Sequence, residues 1–129
     1  MGVILIVDDE AEVRASIDAC LRRDGHVLIH AENGRQCEAA IARHNPDLVI
    51  LDVVMPEQDG LETIRALRRT RPNLKILAVS GGGEHQFGGS LHFAREFGAH
   101  AGLAKPLDLE RLRAAVRSLL EPGRQDRAG

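Results

Sequence analysis

Two periodicities alternate along the chain. Five short apolar runs, residues 3–7, 26–30, 48–51, 76–79 and 101–104, are rich in Val, Ile, Leu or Ala. Runs of that kind suit strands buried on both faces of a sheet. Between them, apolar residues recur every three or four positions: Val13, Ile17 and Leu21; Cys37, Ala40 and Ile41; Leu61, Ile64 and Leu67; Phe93, Ala94 and Phe97; Leu109, Leu112, Val116 and Leu119. That spacing gives each of five helices one apolar stripe. The punctuation agrees, with Asp59, Ser90 and Asp108 at N-cap positions and Gly25 and Gly98 following helical segments as C-terminal stops.

A strand followed by a helix, five times over, predicts an α/β fold. Its five-stranded parallel sheet is doubly wound by right-handed crossovers, with strand order 2-1-3-4-5 and helices on both faces. The expected architecture is a flavodoxin-like three-layer sandwich, since a barrel needs eight such units. A chain of 129 residues, 43% hydrophobic and 28% charged, fits one domain that buries roughly two-thirds of its unfolded surface. That domain is expected over residues 1–120, with residues 121–129 as a short C-terminal tail.

Charge and residue usage remove several function classes. The formal net charge is -2 and the sequence pI about 6.3, so no global basic field draws the chain to nucleic acid or an anionic membrane. No apolar run approaches the ~20 residues of a membrane span, and residues 1–7 lack the features of a signal peptide; a cytoplasmic protein is expected. Cys20 and Cys37 have no CxxC partner and read as packing residues. Three Phe and no Trp or Tyr leave no aromatic platform for bases or flavins. Arg65, Arg68, Arg69 and Arg71 read as a solvated helix face, and His85, His92 and His100 match no metal-ligand spacing.

Ligands of an open doubly wound sheet bind beyond the carboxyl ends of its strands, where strand order reverses, here between the first and third strands. The first strand leads into Asp8, Asp9 and Glu10, the third into Asp52, the fourth into Ser80, and the fifth into Lys105 and Pro106. Adjacent strands lie about 4.8 Å apart, so the acids should converge in one pocket. Such crowding destabilises the fold unless a cation neutralises it, and an all-oxygen set suits a hard ion such as Mg²⁺. Taken singly, these residues have plainer readings: Asp8 and Asp9 as helix caps, Asp52 as a turn residue, Ser80 as a loop hydroxyl, Lys105 as a solvated lysine. Their meeting at one edge of one sheet is what the plainer readings leave unexplained. A carboxylate nucleophile, a metal and two donors together match the needs of a phosphoryl group, so the pocket reads as a phosphorylation site on Asp52.

With these residues in place, the chain resembles the receiver domain of two-component response regulators, of the single-domain, CheY-like type. The resemblance runs from residue 3 to about residue 120. It is carried by Asp8-Asp9-Glu10, Asp52, Met55-Pro56, Asp59-Gly60, Ser80 and Lys105-Pro106. It implies a phospho-accepting switch that catalyses only its own phosphorylation and dephosphorylation, with Asp52 as phosphoacceptor and Mg²⁺ as cofactor. Asp9 would bind the metal directly, Asp8 through water, and Val54 through its backbone carbonyl. Lys105 would pair with the phosphoryl group, Ser80 would be the switch hydroxyl, and the Lys105–Pro106 peptide would be cis. The implied partners are a sensor histidine kinase or histidine phosphotransfer protein, docking on the first helix around Glu10, Ala11, Arg14 and Ala15, and a downstream protein target. An Arg14 or Ala15 charge reversal would slow transfer from the kinase alone. The output face would be the fourth helix, fifth strand and fifth helix.

Two positions depart from the family pattern. Gly102 stands where the family usually has Tyr or Phe, three residues before the lysine, leaving Leu103 or Phe97 as possible substitutes. Residues 81–90 hold five glycines and form a segment longer than a tight turn, a candidate for mobility. Three other readings stay open: a phosphorylation-independent adaptor, a flavodoxin-like nucleotide binder, and a magnesium phosphohydrolase. The binder is disfavoured by three acids after the first strand, and the hydrolase by Val54 where its second acid belongs.

Overall fold

The computed structural model describes residues 2–55, 58–81 and 98–121. In chain order the elements are β1 (Val3–Val7), α1 (Ala11–Arg22), β2 (Val27–Ala31), α2 (Gly34–His44), β3 (Leu48–Asp52), β4 (Val54–Met55), β5 (Gln58–Asp59), α3 (Gly60–Thr70), β6 (Lys75–Ser80), β7 (Ala101–Ala104) and α4 (Leu109–Leu120). The helix expected around Phe93, its Ser90 cap, the glycine-rich segment beyond Gly81, His85, His92 and residues 122–129 lie outside the described residues.

Five strands form one sheet in the order β2-β1-β3-β6-β7, every pair parallel. Counted within the sheet, this is the expected order 2-1-3-4-5. Side-chain alternation sorts each strand between two layers. Leu5, Val7, Val49, Leu51, Ile76 and Ala78 pack with Cys37 and Ile41 of α2 and Ile64 and Leu67 of α3. Ile4, Ile6, Leu48, Ile50, Leu77 and Val79 pack on the other face with Ile17 and Leu21 of α1 and Leu112 and Val116 of α4. Both cysteines are buried and free, and burial pushes the Cys37 thiol up to about 12.

Burial on both faces holds for the three central strands and fails at the two edges. β2 leaves Val27 54% exposed, and β7 is only partly covered along its length. β2 also runs one residue later than its apolar run. His26 stays outside it because its Nδ1 accepts the Gly2 N–H at 3.0 Å, while Val27 N–H donates to the Gly2 carbonyl.

Helix ends follow local hydrogen bonding. Asp108 caps α4 by accepting from Glu110 and Arg111 N–H groups, and Asn33 caps α2 by accepting from Gln36 N–H. Asn45 ends α2 in the left-handed region, and Gly25 and Gly98 take φ of 92° and 132°. Arg68 is not a solvated cation. Its guanidinium donates to the carbonyls of Gly98, Arg71 and Pro72, closing the end of α3 against the approach to β7.

His100 exchanges two hydrogen bonds with Ile76, its N–H reaching the Ile76 carbonyl at 2.8 Å and its Nδ1 accepting from Ile76 N–H at 3.2 Å. Burial and the nearby charges of Arg68 and Lys75 lower its pKa; burial and the N-terminal charge lower that of His26. A depressed histidine pKa means that protons favour the unfolded chain. Stability is therefore full above the unfolded value of about 6.5 and falls as the pH drops below it. Urea midpoints should decline from pH 7 to pH 5.5, and a His26→Gln, His100→Gln double variant should show a shallower decline.

Candidate functional site

The strands deliver their terminal residues to one edge through hydrogen bonds that continue the ladders. Asp8 N–H donates to the Ala31 carbonyl, Val53 N–H to that of Val79, and Lys105 N–H to that of Ser80. Two glycines permit the close packing around them. A Cβ on Gly60 would lie 2.4 Å from the Val53 Cα, and one on Gly81 would lie 2.9 Å from the Lys105 stem. Gly60 thus lets α3 start against the residue after Asp52, and Gly81 lets Lys105 cross the pocket.

Asp8 and Asp52 are 2% and 3% exposed, whereas Asp9 faces solvent. One oxygen from each of these three carboxylates lies within 4.8 Å of the others. Lys105 Nζ reaches Asp8 Oδ2 at 3.1 Å, Glu10 Oε1 at 3.2 Å and Asp52 Oδ2 at 3.4 Å. Burial opposes the charge on Lys105, yet the bond to Asp8 and the charges of Asp52 and Asp8 hold its pKa above the ordinary lysine range. Asp8, Glu10 and Asp52 thus share the one ammonium, and Asp9 stands beside Asp8 and Asp52, so carboxylates are crowded at this edge among the described residues. The Lys105–Pro106 peptide is cis.

Ser80 completes the set. It is fully buried, and its Oγ has no hydrogen-bond partner among the described residues. A buried hydroxyl left unpaired typically costs about 1–3 kcal/mol, so an acceptor arriving beside it would satisfy a standing need. Carboxylate oxygens crowded within 4.8 Å of one another fit a hard divalent cation; the Ser80 hydroxyl fits an anion carried with it. In the unmodified protein Ser80→Ala should be neutral or stabilising by up to about 1 kcal/mol, while the lifetime of any phosphorylated form should change. The urea midpoint and decay of label check the two halves separately.

The structure thus brings Asp8, Asp9, Asp52, Ser80 and Lys105 together, as their positions after the strands anticipated. The Val54 backbone lies two residues after Asp52, paired with Asp59. Asp8 Oδ1 accepts the Glu10 N–H at 2.8 Å in a local turn before α1, but the helix-cap reading does not hold, since the N-cap of α1 is Glu10 and it has no side-chain cap bond. Glu10 is the addition: sequence grouped it with the acids, but its bond to Lys105 depends on the rotamers of two long side chains.

Residues 4–117 match the response regulator receiver domain family. The chain is 31% identical to sporulation initiation phosphotransferase F of Bacillus subtilis (strain 168), over 91% of this chain and 92% of that protein. It is 40% identical to the response regulator MprA of Mycolicibacterium vanbaalenii, where the match takes in 91% of this chain and 49% of the relative, so it spans about half of that protein. The receiver domain of NtrX from Brucella abortus superposes with a TM-score of 0.84 at 30% identity, covering 92% of this chain and 98% of that one.

The chain belongs to the response regulator receiver family.

A receiver of this kind is a phospho-accepting signalling switch rather than a metabolic enzyme, and magnesium at an acidic pocket is typical of its family. In this receiver, β7 pairs Gly102 with Ala78 and Ala104 with Ser80. Leu103 packs into the layer of Ile4, Ile6 and Ile17, whereas Ala78 belongs to the opposite layer. Leu103 therefore cannot stand in for an aromatic at position 102, and Phe97 lies outside the described residues. No described helix of the receiver is long and apolar enough to cross a membrane.

Proposed function

We propose that Asp52 is the phosphoacceptor of this receiver, taking a phosphoryl group from a phosphohistidine on a sensor kinase or histidine phosphotransfer protein. The observation that carries this reading is the nearly buried Asp52 carboxylate, 3.4 Å from the Lys105 ammonium and within 4.8 Å of Asp8 and Asp9. A carboxylate oxygen of Asp52 attacks phosphorus, the P–N bond to the donor imidazole breaks, and an acyl phosphate forms. Asp8, Asp9, Asp52 and the Val54 carbonyl would hold Mg²⁺, which would supply neutralisation of charge on the phosphoryl oxygens. Lys105 pairs with one of those oxygens and Ser80 donates its hydroxyl to another. The receiver is assigned to residues 1–120 and the tail to residues 121–129. A kinase partner implies a cytoplasmic location, with output through protein contact.

A groove of about 350 Å³ supports the docking half. Val13 and Ser16 of α1 face Pro106, Leu107 and Leu109 across it, and Lys105 closes the end nearest the acids. Leu109 is 42% exposed. A partner helix seated there would bring a phosphohistidine to the mouth of the pocket. Ala15 lies exposed on α1. Ala15→Glu should slow transfer from the cognate kinase by about tenfold, the effect of an interface residue worth more than 1 kcal/mol, and leave labelling by acetyl phosphate unchanged; equal slowing of both would count against the surface. The chemistry itself is tested by hydroxylamine: label taken up from acetyl phosphate with Mg²⁺ should be released by it and map to the peptide holding Asp52. Label that resists hydroxylamine, or maps elsewhere, would overturn the reading.

A further inference from the structure

We infer that Arg14, held in place by His30 and Asp18, is a positioning residue for the acidic pocket, fixing the main chain at Asp8. Arg14 lies one turn into α1, and its NH1 donates to the Asp8 carbonyl at 2.5 Å. Its Nε donates to His30 Nδ1 at 3.3 Å. His30 Nε2 in turn meets Asp18 Oδ2 at 2.7 Å, and Asp18 is anchored by two bonds from Arg22. A neutral His30 with its proton on Nε2 satisfies both ring contacts at once.

This chain of contacts closes around one residue. Asp8 N–H is already tied to the carbonyl of Ala31, the neighbour of His30 at the end of β2. Arg14 ties down the carbonyl on the other side of Asp8, so the turn leaving β1 is gripped at both its peptide groups. Every placement of the Asp8 carboxylate, and of Asp9 after it, starts from that main chain. Groups that orient ligating residues without touching the ion alter metal affinity by 10–100-fold when removed. Arg14 is also only partly exposed, and its Nε and NH1 donors are engaged within the protein. It is therefore not the free docking charge that its place on the first helix would suggest, and a charge reversal at Arg14 tests the pocket as much as the partner.

The link to phosphorylation rests on Asp52 being the phosphoacceptor; the link to metal binding does not. Mn²⁺ affinity, read from the paramagnetic resonance of free Mn²⁺ without any phosphodonor, should weaken about tenfold in Arg14→Ala, the lower end of that range. Arg14→Lys should recover most of the loss, because an ammonium can still donate to the Asp8 carbonyl. His30→Ala should give a smaller loss, and it removes a side chain at the exposed edge of the sheet, where folding is least at risk. Acetyl phosphate labelling with Mg²⁺ should slow in the same order. Unchanged Mn²⁺ affinity in both Arg14→Ala and His30→Ala would overturn the inference, and so would a loss in Arg14→Ala that Arg14→Lys fails to reduce. If the unaltered protein takes no label while Mn²⁺ affinity follows the predicted order, the phosphoacceptor reading fails and the positioning role stands.

Discussion

Lys105→Met is expected to destabilise the protein strongly in the absence of divalent cations and much less in their presence. Lys105 is the ammonium that Asp8, Asp52 and Glu10 share, and the first two of these carboxylates are almost wholly buried. Removing one partner of a buried ion pair leaves the other charge desolvated, which typically costs 3–5 kcal/mol; with Lys105 still about a fifth exposed, a loss of about 3 kcal/mol is the expected scale. A bound cation restores the missing charge. At a concentration 100 times its dissociation constant, any ligand of the folded state adds about 2.7 kcal/mol. The variant should gain more from Mg²⁺ than the unaltered protein does, because its pocket has lost the positive charge that Asp8, Glu10 and Asp52 share. Urea midpoints with Mg²⁺ and with EDTA measure this directly, and equal losses in the two conditions would detach Lys105 from the metal site. Phosphoryl uptake should fall about 100-fold even with Mg²⁺ present, the loss that follows removal of one donor to a developing anion.

Asp52→Asn is expected to abolish phosphoryl uptake while preserving the fold. The amide has nearly the shape of the carboxylate but no anionic oxygen to attack phosphorus, so the nucleophile is lost and not merely displaced. Stability should not suffer, because one of several crowded carboxylates becomes neutral and Lys105 keeps Asp8 and Glu10 as partners. The variant should also bind Mg²⁺ more weakly, having lost a charged ligand. Loss of uptake together with unfolding would leave the chemical role of Asp52 unproven, which makes the retained urea midpoint part of the prediction.

The architecture was legible because apolar runs and chemistry share boundaries in this chain. β1 occupies residues 3–7 as its pattern predicts, and the acids begin at the next residue. Strand ends so marked place Asp8, Asp52, Ser80 and Lys105 on one edge once the sheet is known to be parallel. What escaped the pattern depends on single contacts without periodicity. The two-residue ladder of β4 and β5 is too short to show any alternation. Arg14 and Arg68 act on backbone carbonyls, and a carbonyl leaves no trace in residue type. Asn33 and Asn45 bracket α2, and their composition alone does not separate caps from turn residues. The side on which Leu103 packs was available in principle: it shares parity with Ala101, and both join the layer formed with α1 and α4.

The most direct test of the central claim is the intact mass of the protein after incubation with acetyl phosphate, read for the unaltered chain with Mg²⁺, the same chain with EDTA, and Asp52→Asn with Mg²⁺. A gain of one phosphoryl group in the first sample alone is the predicted result. No gain in any of them, under conditions that label a known receiver, would contradict the account and leave a receiver fold used as a phosphorylation-independent adaptor.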